Sequence, residues 1–176
     1  MYALDKEWKF FYTNYQSWLD SYESLSKGVK EMGKIISKPE VCIGCHLCEI
    51  WCIVAHSKSK DIIKAFLYES QRPVPRIIVE ENLPQTFALQ CRQCEEPECV
   101  FACISGALYK ENGRVVHDAE KCVACYSCIM ACPYGMIFKN PLDGKVTKCD
   151  LCAELGYPTC VRVCPNNALE YVEEVP

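Results

Sequence analysis

Apolar side chains recur at a helical spacing through the first 37 residues. Gaps of four and three alternate over more than four heptads, at Leu4, Trp8, Phe11, Tyr15, Trp18, Tyr22, Leu25, Val29, Met32 and Ile36. This period predicts one apolar face on a helix or a helix pair. Gly28 and Gly33 weaken its second half, and Pro39 ends it. The pattern therefore predicts an N-terminal helical segment over residues 1–38.

The apolar face of that segment is strongly aromatic, unlike the aliphatic face of a plain coiled coil. Aromatic side chains are favoured as anchors in protein–protein interfaces. A helical period shows that one face is buried but does not show what covers it. Three alternatives stay open: the segment docks on a partner protein, associates with a second copy, or packs on its own chain.

Beyond Pro39 the pattern changes to short alternating stretches, which are typical of strands. One predicted strand covers 75–80, and another, over 168–172, closes the chain. Residues 107–110 and 114–117 flank an Asn-Gly turn and predict a hairpin. Residues 136–139 and 145–147 predict a second hairpin. Short helices after each cysteine run complete an α+β pattern.

The 16 cysteines divide into four runs of four, with none left over. The runs are Cys42, Cys45, Cys48 and Cys52; Cys91, Cys94, Cys99 and Cys103; Cys122, Cys125, Cys128 and Cys132; and Cys149, Cys152, Cys160 and Cys164. The third run, followed by Pro133, has the C-x2-C-x2-C-x3-C-P spacing of bacterial ferredoxins. In that motif three cysteines bind one 4Fe–4S cluster and the fourth binds another. Four such runs predict four 4Fe–4S clusters, with all sixteen cysteines as iron ligands.

Disulfides and zinc are the competing uses of so many cysteines. A disulfide framework is typical of secreted chains, and the first residues contain no basic stretch followed by an apolar run. Structural zinc usually takes two C-x2-C pairs separated by a longer loop. Three cysteines within seven residues, with a fourth soon after, favour a 4Fe–4S cluster.

Composition limits the other function classes. Half of the residues count as hydrophobic, but that figure includes the cysteines, so the aliphatic core is thin. The protein without clusters is therefore expected to be largely unfolded. A net charge of −4 argues against nucleic acid as a ligand. No signal peptide or membrane span is expected, and thiolate ligands fit a reducing cytoplasm.

Five segments carry a family resemblance: residues 52–57, 73–77, 89–99, 122–135 and 148–152. On them the chain resembles the four-cluster, ferredoxin-like electron-transfer subunits of the dimethyl sulfoxide reductase iron–sulfur family. Within that group it most resembles the subunit that serves carbon monoxide dehydrogenase. Similar subunits accompany tungsten or molybdenum pterin oxidoreductases, formate dehydrogenases and hydrogenases. The resemblance implies a non-catalytic subunit that carries electrons between such a catalytic subunit and soluble ferredoxin or another redox partner.

The resemblance also implies a crossed ligand pattern. Cys42, Cys45 and Cys48 would share a cluster with Cys164; Cys149, Cys152 and Cys160 with Cys52; Cys91, Cys94 and Cys99 with Cys132; and Cys122, Cys125 and Cys128 with Cys103. The expected fold is α+β, with two nested pseudo-symmetric bacterial-type ferredoxin modules after the N-terminal helical extension. In the domain 39–176, the module 84–140 would be inserted into the module formed by 39–60 and 145–174.

The remaining candidates are weaker. His46 and His56 flank the first run, but sixteen cysteines leave no ligand position for them. His117 is expected to be structural, Trp51 to shield a cluster, and the lysines near residue 60 to form a solvated face. No Gly-rich dinucleotide loop or flavin signature is present, so no catalytic residue is predicted. Two rival functions are a scaffold that polymerises through its N-terminal helix and a zinc-stapled interaction module.

Overall fold

The computed structural model of the chain describes residues 33–82 and 84–173, which fold into short strands and helices. The strands are β1 Gly33–Ser37, β2 Ile77–Asn82, β3 Gln85–Gln90, β4 Leu108–Glu111, β5 Arg114–His117, β6 Ile137–Lys139, β7 Val146–Lys148 and β8 Leu169–Glu173. The α-helices are α1 Leu47–His56, α2 Ile62–Leu67, α3 Glu98–Phe101, α4 Ser127–Ala131 and α5 Thr159–Arg162. Single 3-10 turns occupy Pro39–Val41 and Ala153–Leu155.

The strands of the described residues pair into four two-stranded antiparallel sheets. Three of them are hairpins between consecutive strands: β2 with β3, β4 with β5, and β6 with β7. The fourth joins β1 to β8, with Gly33 opposite Glu173 and Ser37 opposite Leu169. This pairing brings the residues that precede the first cysteine run beside the residues that follow the last one.

Most of the strand predictions are confirmed. The two predicted hairpins form β4–β5 and β6–β7, and the predicted closing strand is β8. In the β4–β5 turn Asn112 and Gly113 both have positive φ, at 47° and 75°, as a two-residue turn of this kind requires. The strand expected after Pro75 is β2, whereas β3, which pairs with it, was not predicted.

The helix predicted for residues 1–38 is wrong at its end, because residues 33–37 form β1. Residues 1–32 of that prediction lie outside the described residues. Two consecutive isoleucines suit a pleated strand better than a helix, and they alternate in burial: Ile35 is 1% exposed and Ile36 is 37% exposed. Gly33 lies against the ring of Tyr171 on β8, where a β-carbon would collide with the ring.

The buried side chains form two clusters in which cysteines and aliphatic residues are mixed. One cluster combines Ile35, Ile77 and Leu169 with cysteines of several runs, including Cys48, Cys91 and Cys149. The other combines the β4–β7 residues Leu108, Val115, Ile137 and Val146 with Cys99 and Cys128. Aliphatic packing therefore surrounds the cysteines rather than forming a separate core.

The burial difference between neighbouring isoleucines on β1 gives a direct test of this strand. Ile35→Ala is expected to lower the free energy of unfolding by about 2–5 kcal/mol, because it removes a fully buried side chain. Ile36→Ala, one residue along the same strand, should change it by less than about 0.5 kcal/mol. Anaerobic urea unfolding of the iron-loaded protein, followed by circular dichroism, measures both. Equal effects of the two substitutions would contradict the strand register.

Among the described residues, no helix combines the length and the apolar character that crossing a bilayer requires.

Candidate metal centres

Each cysteine run begins with the same tight backbone turn. The residue directly before the second cysteine has a left-handed conformation in all four runs: Gly44 (φ 65°), Gln93 (49°), Ala124 (55°) and Leu151 (59°). Only the first of these is glycine, and a non-glycine residue pays a steric cost to hold such a φ. The turn brings the first two cysteines of each run around one centre. This arrangement requires the left-handed backbone conformation even at the three positions that are not glycine.

A short helix follows each turn and separates the third cysteine of the run from the fourth. Cys99 lies in α3 and Cys160 in α5, while Cys103 and Cys164 lie just beyond the ends of these helices. In the third run the helix α4 holds Cys128, and Cys132 is its C-cap residue. The first run differs, because α1 extends through both Cys48 and Cys52.

Three cavities are each lined by three cysteines of one run and the fourth cysteine of another. Cysteine set 1 is Cys42, Cys45, Cys48 and Cys164. Set 2 is Cys91, Cys94, Cys99 and Cys132. Set 3 is Cys122, Cys125, Cys128 and Cys103. The structure thus brings together twelve predicted site residues in the combinations that the crossed pattern requires.

The remaining four cysteines, Cys52, Cys149, Cys152 and Cys160, are all buried, with 7 to 8% exposure. We refer to them as set 4. Cys52, Cys149 and Cys160 belong to one buried cluster. Burial raises the pKa of Cys160 most, and the thiols of Cys149, Cys52, Cys152 and, last, Cys48 of set 1 raise it further. The assignment of all sixteen cysteines as iron ligands stays a prediction.

Thiols in these positions fit a multi-iron cluster chemically. Burial raises the pKa of Cys48 to about 12 and that of Cys99 to about 11. Burial also raises the pKa of Cys149 and of Cys160. Four thiolates in one buried site repel one another and lose their hydration, so a bound cation must compensate them. Soft thiolate ligands without nitrogen or oxygen donors are typical of iron–sulfur clusters and zinc.

Backbone N–H groups point at the fourth cysteine of three runs. Arg76 donates to the Sγ atom of Cys52 (3.2 Å), Leu108 to that of Cys103 (3.3 Å) and Ala168 to that of Cys164 (3.1 Å). Hydrogen bonds to ligand sulfur withdraw electron density and raise a cluster's reduction potential. Leu108 and Ala168 each follow a turn that leads into a strand, and Arg76 directly precedes β2.

A charged network that the sequence did not reveal surrounds Cys52. His56 Nδ1 lies 2.8 Å from the carbonyl oxygen of Cys52 and 3.8 Å from its Sγ atom. His56 Nε2 lies 3.1 Å from Asp150 Oδ1, and Asp150 Oδ2 lies 2.7 Å from Arg76 Nη1. The carbonyl and carboxylate oxygens only accept hydrogen bonds, so both ring nitrogens of His56 donate.

The contacts of this network raise the pKa of His56 and lower that of Asp150. Burial opposes the charged ring of His56, but the hydrogen bonds to Asp150 and Cys52 prevail and raise its pKa to about 9. Burial alone would raise the pKa of Asp150, whereas the bond from His56 and the charge of Arg76 lower it below its usual range. The sequence places an aspartate inside the ligand run, between Cys149 and Cys152, but nothing in it links that aspartate to His56 or Arg76.

The other predicted side chains take supporting positions. His46 Nδ1 and Nε2 each lie 2.8 Å from a carboxylate oxygen, of Glu49 and Glu81 respectively. His117, expected to be structural, lies on β5 and lines the cavity of set 3. Trp51 is half-buried. The lysines Lys58, Lys60 and Lys64 are exposed, as expected for a solvated face.

Comparisons with known proteins place these features in a family. The family model described as "4Fe-4S dicluster domain" matches residues 84–174. The chain is 34% identical to "Iron-sulfur protein" of Rhodospirillum rubrum over 82% of this chain and 84% of that protein. It is 34% identical to "Electron transport protein HydN" of Escherichia coli (strain K12) over 79% of this chain and 87% of that protein.

A third relative is a longer protein. The chain is 37% identical to "NADH-dependent phenylglyoxylate dehydrogenase subunit beta" of Aromatoleum evansii over 76% of this chain. It spans only 29% of that subunit.

Proposed function

Because the chain belongs to the 4Fe–4S dicluster domain family, we propose that it is a non-catalytic electron-transfer protein with four 4Fe–4S clusters. A 4Fe–4S cluster with four cysteine ligands supplies one-electron transfer and has no open iron site for a substrate. The chain's own residues hold the clusters, exclude water from them and donate hydrogen bonds to their ligand sulfur atoms. A zinc-stapled module is disfavoured by the same family membership.

The observation that carries this proposal is the composition of the three cavities. Each is lined by three cysteines from one run and one from another. Bacterial ferredoxins distribute the ligands of their two clusters in this crossed way. We assign cysteine sets 1 to 4 as the ligands of four clusters, one set to each.

We infer that the four sets lie in a row. Cysteines of sets 1, 4 and 2 share one buried cluster. Within it, the thiol of Cys48 in set 1 raises the pKa of Cys160 in set 4, and the thiol of Cys91 in set 2 raises the pKa of Cys149 in set 4. Sets 2 and 3 share a buried cluster that contains Cys99 and Cys128. Electrons would therefore pass along the order 1–4–2–3, in either direction.

The two ends of this row are the sets open to solvent. Cys45 of set 1 and Cys125 of set 3 are the two exposed cysteines of the sixteen. Each is preceded by an exposed apolar residue, Ile43 at 61% and Val123 at 63% exposure. We propose that one redox partner contacts each end.

A nested arrangement of two ferredoxin modules is supported by the strand pairing. Sets 2 and 3 take all their ligands from residues 91–132. Sets 1 and 4 take theirs from residues 42–52 and 149–164, on either side of that segment. The pairing of β1 with β8 closes this outer unit. We therefore retain the module 84–140 as an insertion into the module formed by 39–60 and 145–174.

The proposed partner is a catalytic oxidoreductase subunit. Relatives named as an electron transport protein and as a dehydrogenase subunit support this class of partner. The resemblance to the dimethyl sulfoxide reductase iron–sulfur family extends the choice to tungsten or molybdenum pterin enzymes, carbon monoxide dehydrogenase, formate dehydrogenase and hydrogenase. Soluble ferredoxin is the proposed second partner. We propose a cytoplasmic location, because sixteen free thiols require a reducing compartment.

Anaerobic affinity purification from the native organism tests the function. The expected results are a reducible brown protein with about sixteen irons per chain and its co-purification with a metal-containing oxidoreductase. That oxidoreductase should reduce the clusters with electrons from its substrate. A companion variant lacking residues 1–32 should lose the partner if the aromatic segment docks it; this deletion retains β1. Substrate turnover by the isolated chain, or iron far below that content after anaerobic preparation, would contradict the proposal.

A further inference from the structure

Lys148, at the end of β7, is a buried lysine. Its side chain is 3% exposed. Its ammonium group donates to two backbone oxygens, the carbonyl of Val115 at 2.5 Å and that of Cys149 at 2.7 Å. It is the one Lys, Arg, Asp or Glu among the buried side chains of residues 33–82 and 84–173.

No carboxylate of the described residues forms an ion pair with Lys148. The ion pairs in that part of the chain join other lysines, histidines and Arg76 to acidic residues that are at least partly exposed. A buried ammonium group without a counter-charge is unfavourable even when its hydrogen bonds are satisfied, because the ion has lost its hydration. A negative charge other than a carboxylate of the described residues must therefore compensate the ammonium group of Lys148 in the functional protein.

Lys148 lies between two of the cysteine sets. It directly precedes Cys149 of set 4 and donates to the carbonyl oxygen of that residue. It also donates to the carbonyl oxygen of Val115, a residue that lines the cavity of set 2. The charge of one side chain therefore lies beside the middle two sets of the row 1–4–2–3.

Gln93 links the same two residues, Val115 and Cys149, through hydrogen bonds between neutral groups. Its Oε1 atom accepts from the backbone N–H of Val115 (2.9 Å), and its Nε2 atom donates to the carbonyl oxygen of Cys149 (3.0 Å). Gln93 and Lys148 thus hold the same two residues from two sides. Because the amide already links these segments, the positive charge of Lys148 is not needed for the link itself.

We propose that Lys148 is the internal counter-charge of the two middle clusters and sets their reduction potentials. This inference rests on the proposed function, in which sets 2 and 4 hold clusters. A 4Fe–4S cluster with four thiolate ligands carries net negative charge, and each electron that it accepts from a partner adds one more negative charge. A fixed positive charge at this junction stabilises that added charge, so it raises the potentials of both middle clusters relative to those at the ends.

Redox titration of the iron-loaded protein, followed by electron paramagnetic resonance, tests the inference. Lys148→Met should shift two of the four midpoint potentials to more negative values. We expect at least a tenfold change in each reduction equilibrium, which corresponds to about 59 mV for one electron. The two that move should be those whose signals are lost or altered in Cys132→Ala and in Cys52→Ala. The other two should stay unchanged.

Three variants control for structural effects. Lys148→Arg keeps the charge and should keep the potentials near those of the native protein. Lys148→Gln is neutral but still donates a hydrogen bond, so it should reproduce the shift even if Lys148→Met loads its clusters poorly. Lys145→Met removes a lysine of the same hairpin, whose Nζ atom donates to the carbonyl oxygen of Ala119 at the surface. It should leave all four potentials unchanged.

The outcomes separate this inference from the proposed function. Unchanged potentials in Lys148→Gln, or an equal shift of all four, would overturn the role of Lys148 and leave the function intact. Fewer than four clusters in the native protein would overturn the proposed function instead.

Discussion

Cys45→Ala and Cys164→Ala are expected to damage the same cluster, although 119 residues separate the two positions in the sequence. Both side chains line the cavity of set 1. Each single variant and the double variant should therefore retain three intact clusters. The fourth should be lost or converted to a form with fewer irons. Electron paramagnetic resonance during reductive titration, together with iron analysis, counts the intact clusters.

A matched double variant within one run reverses this expectation. Cys45 and Cys52 belong to the first run, but the first lines the cavity of set 1 and the second lies in set 4. Cys45→Ala combined with Cys52→Ala should therefore leave only two intact clusters. If each run bound its own cluster, the Cys45–Cys52 double variant would keep three intact clusters and the Cys45–Cys164 double variant would keep two. The two double variants together decide between the crossed and the uncrossed pattern.

The four cysteine runs could be recognised in the sequence because their spacing is local, while their assignment as iron ligands stays a prediction. Turns of two residues between cysteines, and a short helix before the fourth, leave few ways to arrange the sulfur atoms. The β4–β5 hairpin was predictable for the same reason, since Asn112 and Gly113 suit a turn with two positive φ angles. Local stereochemistry carries both predictions.

The predicted N-terminal helix was wrong at its end because the residues there pair with a strand that is distant in the sequence. Ile36 continues the helical period of the preceding apolar residues. The backbone around it nevertheless pairs with Val172, Tyr171 and Glu170 on β8, about 135 residues later in the chain. A sequence period reports which side chains prefer burial but not which strand is available to cover them.

The charged groups near the cysteines were missed for a related reason. Arg76, Asp150 and Lys148 were visible in the sequence as ordinary charged residues beside a ligand run or a proline. Their roles depend on contacts between segments: Arg76 meets Asp150 at 2.7 Å, and Lys148 reaches Val115. No spacing rule links these positions, so only the folded chain shows that they converge on the cysteine sets.

Removal of iron is expected to unfold the protein rather than to leave an empty scaffold. Cysteines make up eight of the 24 buried apolar side chains in the described residues. These thiols crowd around the positions that clusters would occupy, and the aliphatic residues between them form no separate core. Iron chelation under anaerobic, reducing conditions should therefore abolish most of the far-ultraviolet circular dichroism and the dispersion of the amide NMR signals.

The buried charge of Lys148 strengthens that expectation, because iron removal would leave its ammonium group without a compensating charge. Lys148→Gln should therefore destabilise the iron-loaded protein, because it removes the positive charge that faces the negatively charged clusters. Anaerobic urea unfolding of the loaded protein measures the effect, with Lys145→Gln as the surface control. Metal binding and folding are one process if the iron-free protein unfolds as described. An iron-free protein with native circular dichroism and a cooperative unfolding transition would instead show that the aliphatic residues suffice to hold the fold.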